Sequence, residues 1–547
     1  MEKPNLIQKS DKYRHSNLWN MLLLLALLAF GTKCVSIALT TPFSFDGSVN
    51  AQVARSLAEN GSYTTTYDQP IVFDPIITTG LPLILPVAFS FKLFGSTFSV
   101  GLMVNALYAW LFAAAATWYL LRSLRLHASW ALLALALIAI TPQFAVWSFG
   151  LYGEMPMLFY LIFTAIFLQR FEMKRTRGAL FWAGFCLGLA GLTKMIALFA
   201  LPAAAAALAY MRFWSRERSA GEPNRFKAYL LDLFVFALGL LLPFMVYEMN
   251  QILVLGVDAY LLTLSQRTSF VLSNPSLLEN QNSLTNLTQN IFSHFRQLAT
   301  YIGMKTRIAA LLMLAGLIVL GLHWKVFISS VNSVSGNYRN RSTVNASVLF
   351  LGILTLTLFG WWLLLTGHPW ERYLFPAFVL LDLLLVSELG LLRKGSCASP
   401  GIWPGFSADL LYLFLTLILG LLAAVWGVQS LRQGTYKISF QDTEEKYGYL
   451  SAAAFIQGLP EGARVFGYGW WQAPTLSFAA NTQFYDFYAH PELLAPGKLK
   501  DTYLVSDRYA ARLDPESLQS VLSNFEYELV YQDKLNELSI YQLTDHP

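Results

Sequence analysis

The chain has 547 residues, of which 55% are hydrophobic and only 13% are charged, against about 25% charged residues in an ordinary soluble domain. A soluble fold of this size would need far more charge to cover its surface, so the composition excludes a soluble enzyme and indicates a polytopic membrane protein. The segment after Phe440 carries 15 acidic and 7 basic residues within a chain of net charge +5. We take this acidic tail as a separate soluble unit, and we expect no nucleic-acid partner.

Eleven apolar windows are long enough, or nearly long enough, to cross a bilayer. They lie at 19–40, 98–121, 128–147, 157–170, 179–193, 195–213, 229–249, 307–323, 345–366, 373–391 and 408–428. Every second connection between them is basic, which places these loops and the N-terminus in the cytoplasm of an inner or plasma membrane. Eleven spans then place the acidic tail outside.

The sequence predicts two domains. Residues 1–430 form an α-helical transmembrane domain, with interfacial helices in a first outer loop (43–95) and a long polar outer loop (250–305) with a short helix or two. Residues 431–547 form an extracytoplasmic α/β domain, because helix-like stretches such as EEKYGYLSAAAFIQGL alternate with short strands such as TYLVSDRY and LSIYQL.

The first outer loop begins with an amphipathic stretch, FDGSVNAQVARSLAENG. Val49, Val53 and Leu57 recur at i, i+4 and i+8, which predicts a helix lying in the membrane interface, and Gly61 is a typical helix end. Asp46 falls in the first turn of this helix. The alternative is that Asp46 has a structural role only, as the N-cap of the helix, which would stabilise the helix by about 1 kcal/mol.

A second outer carboxylate, Glu154, lies in FGLYGEMPMLF, just before Pro156 opens the next span. It is either a first-turn carboxylate favoured by the helix dipole or a partner of Asp46 in one cavity. No dense cluster of His or Asp demands a metal, and the three cysteines fit neither a disulfide framework nor a zinc site. We expect no required cofactor, although the two carboxylates leave room for a divalent cation.

Several cations lie on the side that the charge rule disfavours, and such residues are functional candidates. Lys194 lies in GLAGLTKMIALF and Arg372 in TGHPWERYLFP. The structural alternatives are snorkelling for Lys194 and an ion pair with Glu371 for Arg372. Together with Lys305 and Arg307 in YIGMKTRIAA, they predict an anion site at membrane depth, which suits a lipid phosphate.

These motifs in this order resemble the integral-membrane GT-C glycosyltransferases, in particular the protein O-mannosyltransferases and the bacterial lipid A aminoarabinose transferases. The resemblance rests on DGSVNAQVARSLAENG, FDPIITTGLPLILPVAFSFKLFG, GEMPML, GLAGLTK and ERYLFPAFVLL, and it covers about the first 390 residues. It implies inverting transfer of a hexose or pentose from a polyprenyl phosphate on the outer side, for cell-envelope glycosylation.

By position, the resemblance makes Asp46 the catalytic aspartate, Glu154 the second acidic residue, and Lys194 and Arg372 the donor phosphate contacts. This chain has Gly47 where many relatives carry a glutamate, so the acceptor can differ from that of either named group. Transfer itself requires a base beside the acceptor hydroxyl, for which we expect a shielded carboxylate with a raised pKa.

The acceptor is a glycan, a lipid or a protein. Asp74 and the aromatic pair Trp470 and Trp471 in YGWWQAP are candidate contacts to it or to the sugar. A transporter or flippase of a lipid-linked or anionic substrate is the main alternative function. A glycan-binding receptor is another, and the structural alternative for the tryptophan pair is core or docking contact.

Overall fold

A computed structural model of the chain describes most of the membrane domain and most of the tail. The described residues are 6–68, 70–74, 77, 79–141, 144–213, 224–273, 284–301, 345–366, 371–396, 421, 425, 427–428, 440–468, 473–494, 499–507, 518–519, 522–535 and 537–544.

The membrane domain is a bundle of apolar helices. Seven of the described helices are long and apolar enough to cross a membrane, and three shorter ones are apolar as well. The helices are α1 (Leu6–Thr40), α2 (Phe45–Asn60), α3 (Leu81–Phe94), α4 (Phe98–Trp118), α5 (Ala128–Ile140), α6 (Phe144–Phe149), α7 (Glu154–Lys174), α8 (Arg177–Thr193), α9 (Ala200–Phe213), α10 (Arg225–Leu255), α11 (Val257–Ser273), α12 (Leu284–Tyr301), α13 (Ala346–Leu365) and α14 (Glu371–Ser396).

Helices α8 and α10 approach each other closely because glycines line their contact. A Cβ on Gly184 would lie 2.0 Å from the carbonyl oxygen of Phe236, and one on Gly239 would lie 2.0 Å from that of Phe181. Small residues allow such backbone contact in a bilayer, where van der Waals packing replaces the hydrophobic effect between helices. This contact positions the end of α8 from which Lys194 follows.

The acidic tail forms a mixed five-stranded sheet with helices. Its elements are α15 (Phe440–Gln457), β1 (Arg464–Tyr468), α16 (Ala473–Ala480), β2 (Phe484–Asp486), β3 (Thr502–Ser506), β4 (Glu526–Asp533) and β5 (Leu538–Thr544). The strand order is β2-β1-β3-β5-β4, with β1 parallel to β2 and β3, and β5 antiparallel to β3 and β4. Lys446 of α15 donates to the carbonyl oxygen of Leu39 (2.7 Å), so this sheet domain lies at the C-terminal end of α1. We call that side of the bundle the sheet side.

The predicted fold class, a helical membrane bundle with a C-terminal α/β domain, is confirmed, and the protein is an integral membrane protein. The number of spans stays a prediction, because the windows at 307–323 and 408–428 lie wholly or largely outside the described residues. The long polar outer loop (250–305), expected to contain a short helix or two, is more helical than expected. Helix α10 continues to Leu255, and α11 and α12 have 17 and 18 residues.

The glycine contact between α8 and α10 makes a stability prediction. Gly239→Ala should lower the Tm of the purified protein in detergent by an amount corresponding to about 1–3 kcal/mol, because the new Cβ overlaps a backbone carbonyl that cannot rotate away. The matched control is Gly360→Ala in α13, where a Cβ meets nothing within 4 Å and helix propensity favours alanine. An equal Tm for the two variants would contradict this packing.

Candidate functional site

Helix α2 is enclosed between the membrane bundle and the sheet domain. Its buried positions include apolar and polar residues on every face, from Gly47 to Ser56. The predicted helix is present and ends at Gly61 with φ 68°, and its position in the membrane interface stays a prediction. The polar face is covered by the sheet domain instead of by water.

Four charged side chains converge at the start of α2. Arg372 lies at the start of α14. Its Nε atom donates to Oε1 of Glu154 (2.5 Å), and its Nη1 atom donates to Oδ2 of Asp46. The Nζ atom of Lys194 lies 3.9 Å from the same Oε1 of Glu154. Two carboxylates and two cations thus form one ion cluster built from α2, α7, α14 and the residue after α8.

The two carboxylates differ in their access to solvent. The side chain of Asp46 is 35% exposed, whereas that of Glu154 is 6% exposed. Oε2 of Glu154 and NH2 of Arg372 are both buried and make no hydrogen bond within the described residues. The carboxylate of Asp46 is therefore partly open to solvent, while the buried carboxylate of Glu154 lies against the two cations.

The cations determine the charge state of Asp46. Burial alone would raise the pKa of this carboxyl group, but the charges of Arg372 and Lys194 and the hydrogen bond from Arg372 lower it overall. The expectation of a raised pKa is wrong for this arrangement, because the two neighbouring cations outweigh the loss of hydration. Asp46 is an ionised hydrogen-bond acceptor at neutral pH.

Asp46 is not the N-cap residue of α2. Ser44 occupies the N-cap position of α2 and makes no side-chain capping bond, and the carboxylate of Asp46 is bonded to Arg372. The partners of Arg372 described here are Asp46 and Glu154; the side chain of Glu371, its expected structural partner, is not among those described.

The loop before Glu154 is held by side chains that the sequence analysis did not single out. Asn105 of α4 donates to the carbonyl oxygens of Ser148 (2.5 Å) and Gly150 (2.6 Å). Asn50 of α2 donates to the carbonyl oxygen of Leu151 (2.9 Å). Amides buried in apolar helices are the signal that could have identified them.

An aromatic side chain from the same loop covers the arginine. The ring of Tyr152 lies 4.4 Å from the guanidinium carbon of Arg372, a distance typical of a cation–π contact. At the next position, a Cβ on Gly153 would lie 2.8 Å from Cγ of Lys194. Gly153 therefore leaves the space in which the lysine side chain reaches Glu154.

The sheet domain bonds directly to the helix that carries Asp46. Ser48 shares a hydrogen bond with Thr475 of α16 (2.8 Å), and Gln52 donates to the carbonyl oxygen of Pro474 (3.0 Å). Gln52 also accepts from the backbone amide of Tyr67 (2.9 Å). The position of α2 thus depends on both domains and on the loop after it.

The other predicted site residues are not part of this cluster as described. Asp74 is buried in the loop between α2 and α3, where its carbonyl oxygen accepts from the amide of Ile77 (3.1 Å). Lys305, Arg307, Trp470 and Trp471 lie outside the described residues. Their roles stay predictions.

The cluster does not fit a divalent cation in this arrangement. The guanidinium of Arg372 bonds to both carboxylates and so occupies the position that a bridging ion would take. Elsewhere in the described part of the chain, no three His, Cys, Asp or Glu side chains are grouped as metal ligands. We therefore derive no catalytic step through a metal.

One protein-family model matches part of the chain. The family model described as dolichyl-phosphate-mannose-protein mannosyltransferase matches residues 83–247, less than half of the chain, a range that contains Glu154 and Lys194. No curated protein sequence matches significantly.

Solved structures match over nearly the whole chain. ArnT from Cupriavidus metallidurans bound to undecaprenyl phosphate has a TM-score of 0.56 at 12% identity, covering 96% of this chain and 97% of that one. The Archaeoglobus fulgidus oligosaccharyltransferase in its apo form has a TM-score of 0.52 at 14% identity, covering 96% and 74%. At these identities the likeness shows the fold, which is the GT-C fold that the sequence motifs indicated.

The charge state of Asp46 makes a prediction about stability and pH. A carboxyl group whose pKa is lowered by folding stabilises the fold above its unfolded pKa of about 4, and loses this only as the pH falls through the folded pKa. Asp46→Asn should therefore lower the free energy of unfolding equally at pH 7 and pH 5. We expect about 1 kcal/mol, below the 3–5 kcal/mol of a fully buried broken pair, because Asp46 is partly exposed.

Thermal unfolding of the parent and the variant at both pH values measures this. Glu461→Gln, at an exposed turn of the sheet domain, is the control and should change nothing at either pH. A destabilisation by Asp46→Asn that is larger at pH 5 than at pH 7 would show a raised pKa and contradict the ion cluster.

Proposed function

We propose that the protein is an inverting glycosyltransferase that moves a hexose or pentose from a polyprenyl phosphate to an acceptor on the sheet side of the membrane. The observation that carries this proposal is the accessible carboxylate of Asp46, held beside two cations at the edge of a bundle with the GT-C fold. ArnT, which shares this fold, was solved with undecaprenyl phosphate, which supports a lipid of the same class as the donor.

The donor phosphate fits the cationic half of the cluster. NH2 of Arg372 is buried and unpaired among the described residues, and a guanidinium can bind two phosphate oxygens at once. Lys194 adds a second charge from the end of α8. When the sugar leaves, the phosphodiester becomes a phosphomonoester, and these fixed charges stabilise the developing negative charge.

Asp46 acts as the general base. Its carboxylate accepts the proton of the acceptor hydroxyl as the hydroxyl oxygen attacks the anomeric carbon from the face opposite the phosphate, and the bond from that carbon to the phosphate oxygen breaks. Donor binding prepares this step. A phosphate on Arg372 neutralises part of the charge that lowers the pKa of Asp46, so the carboxylate becomes a stronger base only when the donor is present.

Glu154 is a positioning residue in this mechanism. It is almost fully buried and bonds to Arg372 while lying close to Lys194, so it holds both cations beside one carboxylate. The sheet domain contributes in the same way through Ser48 and Gln52, which connect the helix of Asp46 to α16.

Two substitutions separate chemistry from binding. Asp46→Asn keeps the size of the side chain but cannot accept a proton, so transfer of labelled sugar should fall by about 100-fold to 10,000-fold while polyprenyl phosphate still binds. Arg372→Lys should instead weaken binding of polyprenyl phosphate, because a single ammonium group cannot replace the two-pronged guanidinium.

Both variants are compared with the parent in nanodiscs, with binding and transfer measured separately. Glu461→Gln is the control for both measurements. Transfer by Asp46→Asn at the parental rate would remove Asp46 as the base and leave Glu154 as the next candidate. Equal lipid affinity of Arg372→Lys and the parent would contradict the phosphate assignment.

The mechanism also requires that the sheet side is extracytoplasmic, with the N-terminus in the cytoplasm, as the alternation of basic loops predicts. A phosphatase reporter that is active only outside the cytoplasm should be active when fused after Pro547. The same reporter inserted between residues 214 and 223, within the basic connection at 212–227, should be inactive. The reverse pattern would overturn the orientation and the proposed side of reaction.

A further inference from the structure

A second polar site lies away from the ion cluster, at the other end of α2. Here a cleft of about 440 Å³ opens between the C-terminal ends of α2 and α3 and the sheet domain. Its polar and charged lining residues are Arg55, Glu59, Lys92, Ser96, Gln457 and Asn481. Arg55 follows Asp46 by nine residues, which is about 13 Å along a helix, so the cleft is distinct from the site of transfer.

Arg55 is a buried cation. The residue is 5% exposed, and within the described residues no carboxylate oxygen lies within 4.0 Å of it. Nη1 donates to the side-chain oxygen of Asn481 (2.9 Å), Nη2 donates to the carbonyl oxygen of Ser96 (3.3 Å), and Nε makes no hydrogen bond to the part of the chain that the structure describes. The guanidinium carbon lies 3.7 Å from the ring centre of Phe478.

The pKa of Arg55 is lower than that of an arginine in water. Burial lowers the pKa of this guanidinium to about 10, although the more distant charge of Glu59 raises it in part. Neutral hydrogen bonds and one aromatic ring thus compensate the buried charge only partly. An anion at the cleft would complete the compensation.

Helix α3 brings an exposed apolar surface to the mouth of the cleft. Leu85, Phe89 and Leu93 recur every fourth residue and are 50–65% exposed, and Phe94 beside them is 73% exposed. Lys92, in the last turn of the same helix, is exposed and lines the cleft. An acyl chain can lie along this apolar surface while its headgroup reaches the cations.

We propose that this cleft binds the phosphate of an anionic membrane lipid from the leaflet on the sheet side, with Lys92 and Arg55 as its charge partners. The continuous surface from the α3 stripe into the cleft favours a lipid over a free anion. Glu59, Gln457 and Asn481 line the opposite part of the cleft and can accept hydrogen bonds. They favour a headgroup that carries hydroxyl groups, such as phosphoglycerol.

The test measures lipid binding without glycosyl transfer, so its result is independent of the proposed function. The purified full chain in detergent is titrated with phosphatidylglycerol and the bound lipid is counted by native mass spectrometry. Lys92→Gln should weaken the binding of phosphatidylglycerol about fivefold, the effect of one cation at a membrane surface. Lys33→Gln, which removes a lysine from α1 two turns before its end on the sheet side, is the matched control and should bind as the parent does.

Further titrations identify the class of ligand. Phosphatidylcholine should bind more weakly than phosphatidylglycerol and should not respond to Lys92→Gln, and millimolar inorganic phosphate should not displace phosphatidylglycerol. Arg55→Gln is a second variant and should also weaken binding. If it fails to fold, Lys92→Gln carries the test.

Three outcomes would overturn the proposal. If Lys92→Gln bound phosphatidylglycerol as tightly as the parent does, Lys92 would not be a charge partner of the lipid. Equal loss in Lys33→Gln would show an effect of net charge only. Full displacement by inorganic phosphate would show a site for a soluble anion.

Discussion

The structure depends on one arginine that neutralises two carboxylates at once. Arg372 belongs to α14, Asp46 to α2 and Glu154 to α7, and the guanidinium joins all three helices. Removing Arg372 would take the closest cation from the almost fully buried carboxylate of Glu154, and a buried charge that loses its partner is strongly destabilising. The same interaction that holds the helices together therefore also places an accessible carboxylate beside two cations.

Helix α2 is the element through which the two domains meet. Its first turn carries Asp46, its middle bonds to α16 through Ser48 and Gln52, and its last turns line the lipid cleft through Arg55. Because these residues share one rigid helix, a shift of the sheet domain would move the carboxylate as well. The sheet domain thus supports the site, although none of its described charged residues belongs to the ion cluster.

Close contacts between backbones also hold the ion cluster in place, through helix α8. Glycines at the contact of α8 and α10 let the two helices touch, and Gly153 leaves room for Lys194. Gly80 is equally constrained, since a Cβ there would lie 1.9 Å from the carbonyl oxygen of Leu192. These contacts place the end of α8, and with it the lysine, within reach of Glu154.

Much of the architecture could be predicted from the sequence, because hydropathy and helical periodicity are local properties. They indicated a membrane bundle, the helix that begins near Asp46, and strands of the tail such as TYLVSDRY and LSIYQL. The charged residues Asp46, Glu154, Lys194 and Arg372 could also be identified one by one. Each is an ionisable residue next to an apolar span. Their pairing could not, because residues as far apart as Asp46 and Arg372 meet only when the bundle closes. The burial of α2, the lowered pKa of Asp46 and the supporting contacts of Asn105 and Gly153 likewise depend on what packs against them, which only the tertiary structure decides.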